Sequence, residues 1–264
     1  MPAFKRQIIA AICLMGSSLC APAQTLRIAS ESWAPYVYEE QGTLQGLDYE
    51  AAQIVLQRLG ITVEWQLMPW RRCLAALEQG QVDAVLDMFR TAERETSMIF
   101  PDEPMSQIEF VLFYAQARPY PYQRLQDLQG LKVGVSAGYW YANRGFRESE
   151  LFTREPAPSH NANMGKLLRD RVDLVINDRR GGNFLLAQMG ISRDIGHHAT
   201  VISRDQLYLS LRRADGMQEL AERFSNELRR FKREPAYTRL SARYNQPAPL
   251  PRQLQPNPDA AFGR

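Results

Sequence analysis

Gln81-Val82-Asp83-Ala84-Val85-Leu86-Asp87 and Arg171-Val172-Asp173-Leu174-Val175-Ile176-Asn177-Asp178 share one pattern. Each begins polar, turns at an aspartate, runs through aliphatic residues and ends polar. Each reads as the end of a helix, a tight turn, a buried strand and a loop, and the repetition marks two similarly built units. Ligands of open α/β sheets bind outside the carboxyl ends of strands, so the loops opening at Asp87 and Asn177 are where a site belongs.

Outward from these stretches the chain alternates strand-like and helix-like segments, which predicts α/β layers. Leu26 to Ser30 reads as a strand, and Asp48 as the cap of a helix with an apolar stripe through Ala51, Val55 and Leu59, stopped by Gly60. Ile61, Val63, Trp65 and Leu67 alternate with polar residues as a half-buried strand does. A short helix from Arg71 to Glu78 precedes a strand over 82–86. Ile108 to Ala115 is strand-like, and Arg118-Pro119-Tyr120-Pro121 behind it reads as a crossover into a second lobe opened by Leu131 to Ser136. Gln206 to Leu211 is strand-like again. Met217, Leu220, Ala221, Phe224, Leu228 and Phe231 fall on one helical face, a core stripe and not a cofactor box. These readings divide the chain into a first lobe of 24–114 with 206–245, a second lobe of 115–205, and a flexible, proline-rich tail from 246 to 264.

The amino terminus points to export. Lys5 and Arg6 precede an apolar run from Ile8 to Met15, and Ala21-Pro22-Ala23 suits cleavage after Ala23, so 1–23 reads as a signal peptide and the destination as the periplasm. Leu19 is larger than the residue a lipobox places before its cysteine, which argues against lipidation of Cys20. Of three cysteines only Cys73 remains, with no partner for a disulfide. Cys73 reads as a small buried hydrophobe. The three histidines, His160 and His197-His198, lack the spacing of a metal site and read as surface or packing residues. No cofactor is implied. A net charge of +3 without a polybasic run gives no footprint for nucleic acid.

The sharpest local constellation is Thr91-Ala92-Glu93-Arg94. If Thr91 caps a helix, Arg94 lies in its first turn, beside free N–H groups and the positive end of the dipole. A bound anion would resolve the charge conflict, since a guanidinium grips a carboxylate with two parallel bonds. An ion pair with Glu93 or Asp102 explains the same arginine equally well.

Taken in order, these features resemble solute-binding protein family 3, the amino-acid receptors of the type II periplasmic binding fold. The matching pieces are Trp33-Ala34-Pro35-Tyr36, Gly46-Leu47-Asp48-Tyr49-Glu50, Thr91-Ala92-Glu93-Arg94 with Phe100 and Pro104, Leu128 to Val135 with Gly138, Val172-Asp173-Leu174 leading to Asp178, and Ala236-Tyr237 with Leu240 and Tyr244. The resemblance implies two Rossmann-like α/β lobes joined by a two-segment hinge. It implies a monomer that captures an amino acid or related carboxylate, and an inner-membrane ABC permease or sensor as partner. By the same likeness Arg94 holds the ligand's α-carboxylate, Asp178 its α-ammonium, Trp33 and Trp70 flank its side chain, and Ser136, Gly138 and Tyr139 line the second lobe's part of the cleft.

Each assignment has a structural alternative: packing for the two tryptophans, an ion pair with Arg179-Arg180 for Asp178. The sequence also departs from the family. Phe89 stands where these receptors usually carry a hydroxyl, and Asp87 where a small residue is common. Asp87 can receive a cationic group of the ligand or pair with Arg71 or Arg72. The same scaffold hosts cyclohexadienyl dehydratases, which need a general acid, for which Glu31 or Asp87 is available. A ligand-sensing accessory protein is a further alternative.

Overall fold

The computed structural model describes residues 25–245. The signal-peptide and tail readings fall outside them. The backbone is one mixed, nine-stranded sheet with helices on both faces, and the sheet consists of two halves built alike. In the first, β1 (Thr25–Ser30), β4 (Thr62–Leu67) and β5 (Ala84–Phe89) lie parallel in the order β4-β1-β5, with the long β11 (Ile195–Arg212) antiparallel beside β5. In the second, β8 (Lys132–Ser136), β9 (Thr153–Ala157) and β10 (Leu174–Asp178) lie parallel in the order β9-β8-β10, with β7 (Ser106–Ala115) antiparallel beside β10. β7 and β11 pair from Ser106 with Leu207 to Ala115 with Ile195, so these two strands join the halves. β2 (Tyr38–Glu40) and β3 (Thr43–Gln45) form a hairpin, and β6 (Met98–Ile99) pairs with the end of β11.

The repeated aspartate now has a physical role. Asp83 accepts the backbone N–H of Arg27 at 3.1 Å, and Asp173 that of Lys132 at 2.7 Å. Arg27 is third in β1 and Lys132 first in β8, the central parallel strands of their halves, so each aspartate satisfies a donor near a strand start.

Four apolar layers hold the sheet. On one face of the first half, α1 (Leu47–Arg58), α7 (Met217–Phe231) and α8 (Pro235–Asn245) pack Val55, Leu56, Phe224 and Leu228 onto Leu26, Ile28 and Leu209. On the other, α2 (Trp70–Glu78) sets Cys73 and Leu77 against Ala29, Val85 and Met88. In the second half, α5 (His160–Leu168) and α6 (Arg179–Gln188) set Met164, Leu167 and Leu186 against Val111, Phe113 and Val175. Phe146 of α4 (Arg144–Glu148) packs with Leu112, Val133 and Ile176 on the opposite face. The predicted stripe of α7 is buried throughout, each large side chain contributing about 1.5–3 kcal/mol relative to exposure.

Three local readings are corrected. Asp48 is not the cap of α1: Gly46 is, at φ 133°, where a Cβ would lie 2.2 Å from the Tyr36 carbonyl oxygen. Asp48 instead turns inward and accepts from Ser106 Oγ at 2.5 Å. Asp87 and Asn177 do not open loops, because β5 continues to Phe89 and β10 to Asp178. And β11 begins well before Gln206, at Ile195.

Candidate functional site

The site forms where the carboxyl ends of the two parallel sets meet. Glu31 and Trp33 follow β1, Asp87 and Phe89 end β5, Trp70 opens α2, and Tyr139 follows β8. A narrow space between the two halves is walled by Ser30, Glu31, Trp33, Trp70, Leu86, Asp87, Phe89 and Tyr139. Six residues singled out in the sequence, Glu31, Trp33, Trp70, Asp87, Phe89 and Tyr139, therefore share one wall. The rings meet mostly edge to face, with centroids 5.5 Å apart for Trp33 and Tyr139, 5.8 Å for Phe89 and Tyr139, and 6.0 Å for Trp70 and Tyr139. That geometry sets positive ring edges against negative faces.

Besides these ring contacts, the following bridge the halves. Trp70 Nε1 donates to the Gly138 carbonyl at 3.3 Å, Tyr139 donates its hydroxyl to Glu31 at 2.8 Å, and Trp33 stacks on His160 at 5.5 Å. The Tyr139 oxygen is also 3.0 Å from His160 Nε2, and His160 Nδ1 is 3.5 Å from Ser136 Oγ. Burial pushes His160 down to about 4, so its ring is neutral. Since Tyr139 spends its proton on Glu31, Nε2 must carry the hydrogen and Nδ1 accepts from Ser136. The chain Ser136, His160, Tyr139, Glu31 thus points every donor toward one carboxyl. Burial raises that carboxyl to about 7, against the opposing bond from Tyr139.

Asp87 is the least conventional residue of the site. Its φ is +63°, in the left-handed region, and β5 carries an extra residue there: Val85 faces Ser210 and Met88 faces Tyr208. Such a bulge re-aims a side chain. The Asp87 carboxyl is buried, with no protein N–H or hydroxyl donating to either oxygen. It faces Asp48, and a bond between the two forms only when one is protonated. Burial, then the Asp48 charge, raises Asp87 well above the carboxylate range, while bonds from Asp87 and Ser106 oppose the rise caused by burial of Asp48. Asp87 is therefore the protonated partner. The expected pairing of Asp87 with Arg71 or Arg72 is absent; Arg72 is exposed on α2, away from the cavity wall.

Thr91 caps α3 (Ala92–Ser97), accepting from Arg94 N at 3.2 Å. The Arg94 guanidinium donates to the Phe89 carbonyl at 2.9 Å and lies 5.7 Å from the Trp70 ring. It makes no ion pair among the described residues; Arg90 is the residue that pairs with Glu95 and Asp102. Burial lowers its pKa.

Asp178 lies on the far side of Trp33. It caps α6, accepting from Gly181 N at 2.6 Å, from the Tyr36 hydroxyl at 2.8 Å and from Glu109 N at 3.3 Å. Arg179 pairs with Glu109 instead, and Arg180 sits 5.8 Å from the Tyr36 ring. A Cβ on Gly181 would lie 2.8 Å from Trp33 Nε1, a buried donor without a partner, so glycine is what lets the indole sit there. Beyond Trp33 a second cavity runs along Tyr38, Asn177 and Gln188.

Sequence reasoning assigned no binding role to His160, Tyr36 or Asp48 and found no partner for Glu31. Glu31 carried a signal, since it directly follows a parallel strand. His160 carried none, and the packing reading holds only in part, because the ring is also a hydrogen-bond relay. Cys73 is buried and its thiol is pushed up to about 12, in keeping with a packing role.

This architecture is that of a two-lobed binding protein. Residues 26–247 match the model of the bacterial extracellular solute-binding proteins, family 3, and the chain belongs to that family. Among solved structures it is similar to an ancestral arginine-binding protein bound to arginine, with 22% identity, a TM-score of 0.74, and coverage of 84% of this chain and 98% of that one. It is similar to the amino acid ABC transporter substrate-binding protein AbpA from Streptococcus pneumoniae bound to L-arginine, with 20% identity, a TM-score of 0.73, and coverage of 83% and 94%. A third is the ancestral amino acid-binding protein AncCDT-1, a precursor of cyclohexadienyl dehydratase, with 20% identity, a TM-score of 0.70, and coverage of 84% and 95%. These likenesses establish the fold. No curated protein matches the sequence. No helix among the described residues is long and apolar enough to cross a membrane.

Proposed function

We propose that the protein is a monomeric periplasmic receptor that closes on a small amino-acid-like ligand and presents it to an inner-membrane transporter or sensor, without transforming it. One observation carries the reading: an aromatic-walled cavity assembled from both halves of the sheet, with the half-buried Arg94 guanidinium beside it and no carboxylate paired to that charge. A ligand carboxylate offsets the desolvation that lowers the Arg94 pKa. We place the lobe boundaries within β7 and β11, where each strand passes from one half of the sheet to the other. Closure then requires contacts made only when the lobes meet.

One observation favours a second reading, a dehydratase on the same scaffold. Burial raises the Glu31 carboxyl to about 7, and Tyr139 and His160 back it, as a general acid requires.

Thermal unfolding against amino acids, dicarboxylates and prephenate-like acids separates the two. A receptor is stabilised by an amino acid that is recovered unchanged, and Arg94→Ala weakens binding about 10–100-fold, the loss of a charge-assisted pair. Asp178→Asn, which keeps the helix cap, tests the ammonium contact. Turnover of the prephenate-like acid selects the enzyme; an Arg94→Ala protein that binds as tightly as the parent removes the carboxylate clamp.

A further inference from the structure

A residue in the left-handed region is ordinarily glycine, which adopts that conformation without strain. This chain carries Asp87 instead, at φ +63°, a conformation that strains a residue with a Cβ. The carboxyl so aimed is 4% exposed, lines the cavity, and accepts no hydrogen bond from any protein N–H or hydroxyl. Around it stand the faces and edges of Trp33, Trp70, Phe89 and Tyr139, with Glu31 as a second carboxyl on the same wall and no cationic side chain in that wall.

We propose that Asp87 anchors a cationic group of the ligand, an ammonium or a guanidinium, inside this aromatic wall. The inference rests on the binding-protein reading above and names the ligand class for the same cleft. Aromatic faces and a buried carboxylate are the combination that replaces the hydration of an organic cation.

Charge balance sets how the cation enters. Asp48 and Asp87 face each other in a dry site and share one proton, since two adjacent carboxylates there do not both ionise. When a cation arrives at Asp87, the O–H bond of the pair breaks and the proton leaves to solvent, so the site exchanges one positive charge for another. Ser106 donates to Asp48, Lys232 and Arg180 act on Asp48 without an ion pair to it, Tyr36 and Tyr237 face Asp48 and Tyr139 faces Asp87, all three with raised pKa values that keep them neutral. Glu31 faces Tyr139, the Cys73 thiol and Tyr141, all neutral.

The test is titration calorimetry of the purified protein near neutral pH in two buffers of different ionisation enthalpy, with L-arginine, L-lysine and putrescine as probes and L-glutamine and L-glutamate as controls. At least one cationic probe binds with release of about one proton, and both controls bind at least about tenfold more weakly. Asp87→Asn loses the proton release and about tenfold or more in affinity for that probe, while unfolding at or above the parent's temperature. Asp48→Asn provides the second variant: it keeps cation binding and diminishes the proton release, because Asp87 then ionises without a carboxylate neighbour. The inference is overturned if no protons are released, if Asp87→Asn binds the cation as tightly as the parent, or if glutamine or glutamate binds as well as the cations. In that last case the receptor reading stands on its own, and failure of every cationic probe to bind overturns this inference while the receptor reading is decided by the wider thermal-unfolding series.

Discussion

Glu31 and His160 illustrate how two buried groups hide each other's effect. Burial raises Glu31 from 4.5 to about 7. The stability it contributes is complete below pH 4.5, where folded and unfolded chains are both protonated, and is lost as pH rises to about 7. Burial lowers His160 from 6.5 to about 4, so its contribution is complete above 6.5 and is lost as pH falls toward 4. Between 4.5 and 6.5 the two slopes oppose. Glu31→Gln removes one of them and keeps the acceptor for Tyr139. Urea unfolding across that window should show the variant losing stability on acidification more steeply than the parent; an unchanged difference between the two proteins across the window would mean that Glu31 titrates in the fold as it does in the unfolded chain. At this scale the sequence was partly legible. Trp33, Trp70, Phe89 and Tyr139 follow strand ends or open a helix, so their place in the wall could be read from order alone. The relay could not, because Tyr139 meets Glu31 across 108 positions and His160 meets Tyr139 across 21, distances that no periodicity encodes.

The paired elements β5 and β10 were legible because their aliphatic runs are fully buried and their aspartates recur at the same place. The two aspartates are not equally invested. Asp83 accepts from Arg27 N, from the Arg27 guanidinium at 2.9 Å and from Arg212 at 2.9 Å, and these bonds hold its pKa at about 2 despite burial. Asp173 has the backbone N–H of Lys132 and the Tyr120 hydroxyl at 2.9 Å, with no guanidinium. Asp83→Ala should therefore cost about 1–3 kcal/mol, since both arginines are part-exposed and recover water, and Asp173→Ala about 1 kcal/mol. The sign with pH separates charge from packing. Asp83 contributes above its ordinary 3.8 and loses that contribution as pH falls toward 2, so the gap between parent and Asp83→Ala should close in acid. Denaturant midpoints at neutral and acid pH check this, and a gap that stays constant would assign the loss to packing. Other elements resisted reading for physical reasons. β5 outruns its apolar run because a bulge takes up Asp87 and the ladder resumes at Met88 and Phe89. β11 spans residues as polar as His197-His198 and Arg204-Asp205 because that stretch pairs with β7 at the junction of the halves, where its exposed positions face solvent.

For the molecule as a whole, the two halves are joined by two strands, and across the cleft they meet through hydrogen bonds from Trp70 to Gly138, from Tyr139 to Glu31 and from Tyr36 to Asp178, and through the ring stack of Trp33 on His160. Tyr139 holds a central place among them. Its hydroxyl joins Glu31 of one half to His160 of the other, and its ring touches Trp33, Trp70 and Phe89. Tyr139→Phe keeps the ring and deletes only the hydroxyl, leaving the buried Glu31 oxygen and His160 nitrogen without their partner. Loss of a hydrogen bond to a charged group costs about 1.5–3 kcal/mol. Charged to closure alone, that shifts the closed-to-open ratio about 10–100-fold toward open and weakens ligand binding in proportion to the closed fraction lost. Small-angle scattering should show a larger radius of gyration for ligand-free Tyr139→Phe than for the parent, and saturating ligand should bring the two back together. Equal radii without ligand, with unchanged affinity, would place the hydroxyl in local packing and leave closure to the rings. A variant that stays extended even at saturation would show instead that the bond is needed to form the closed arrangement at all, because ligand contacts alone then fail to supply the difference between the two states.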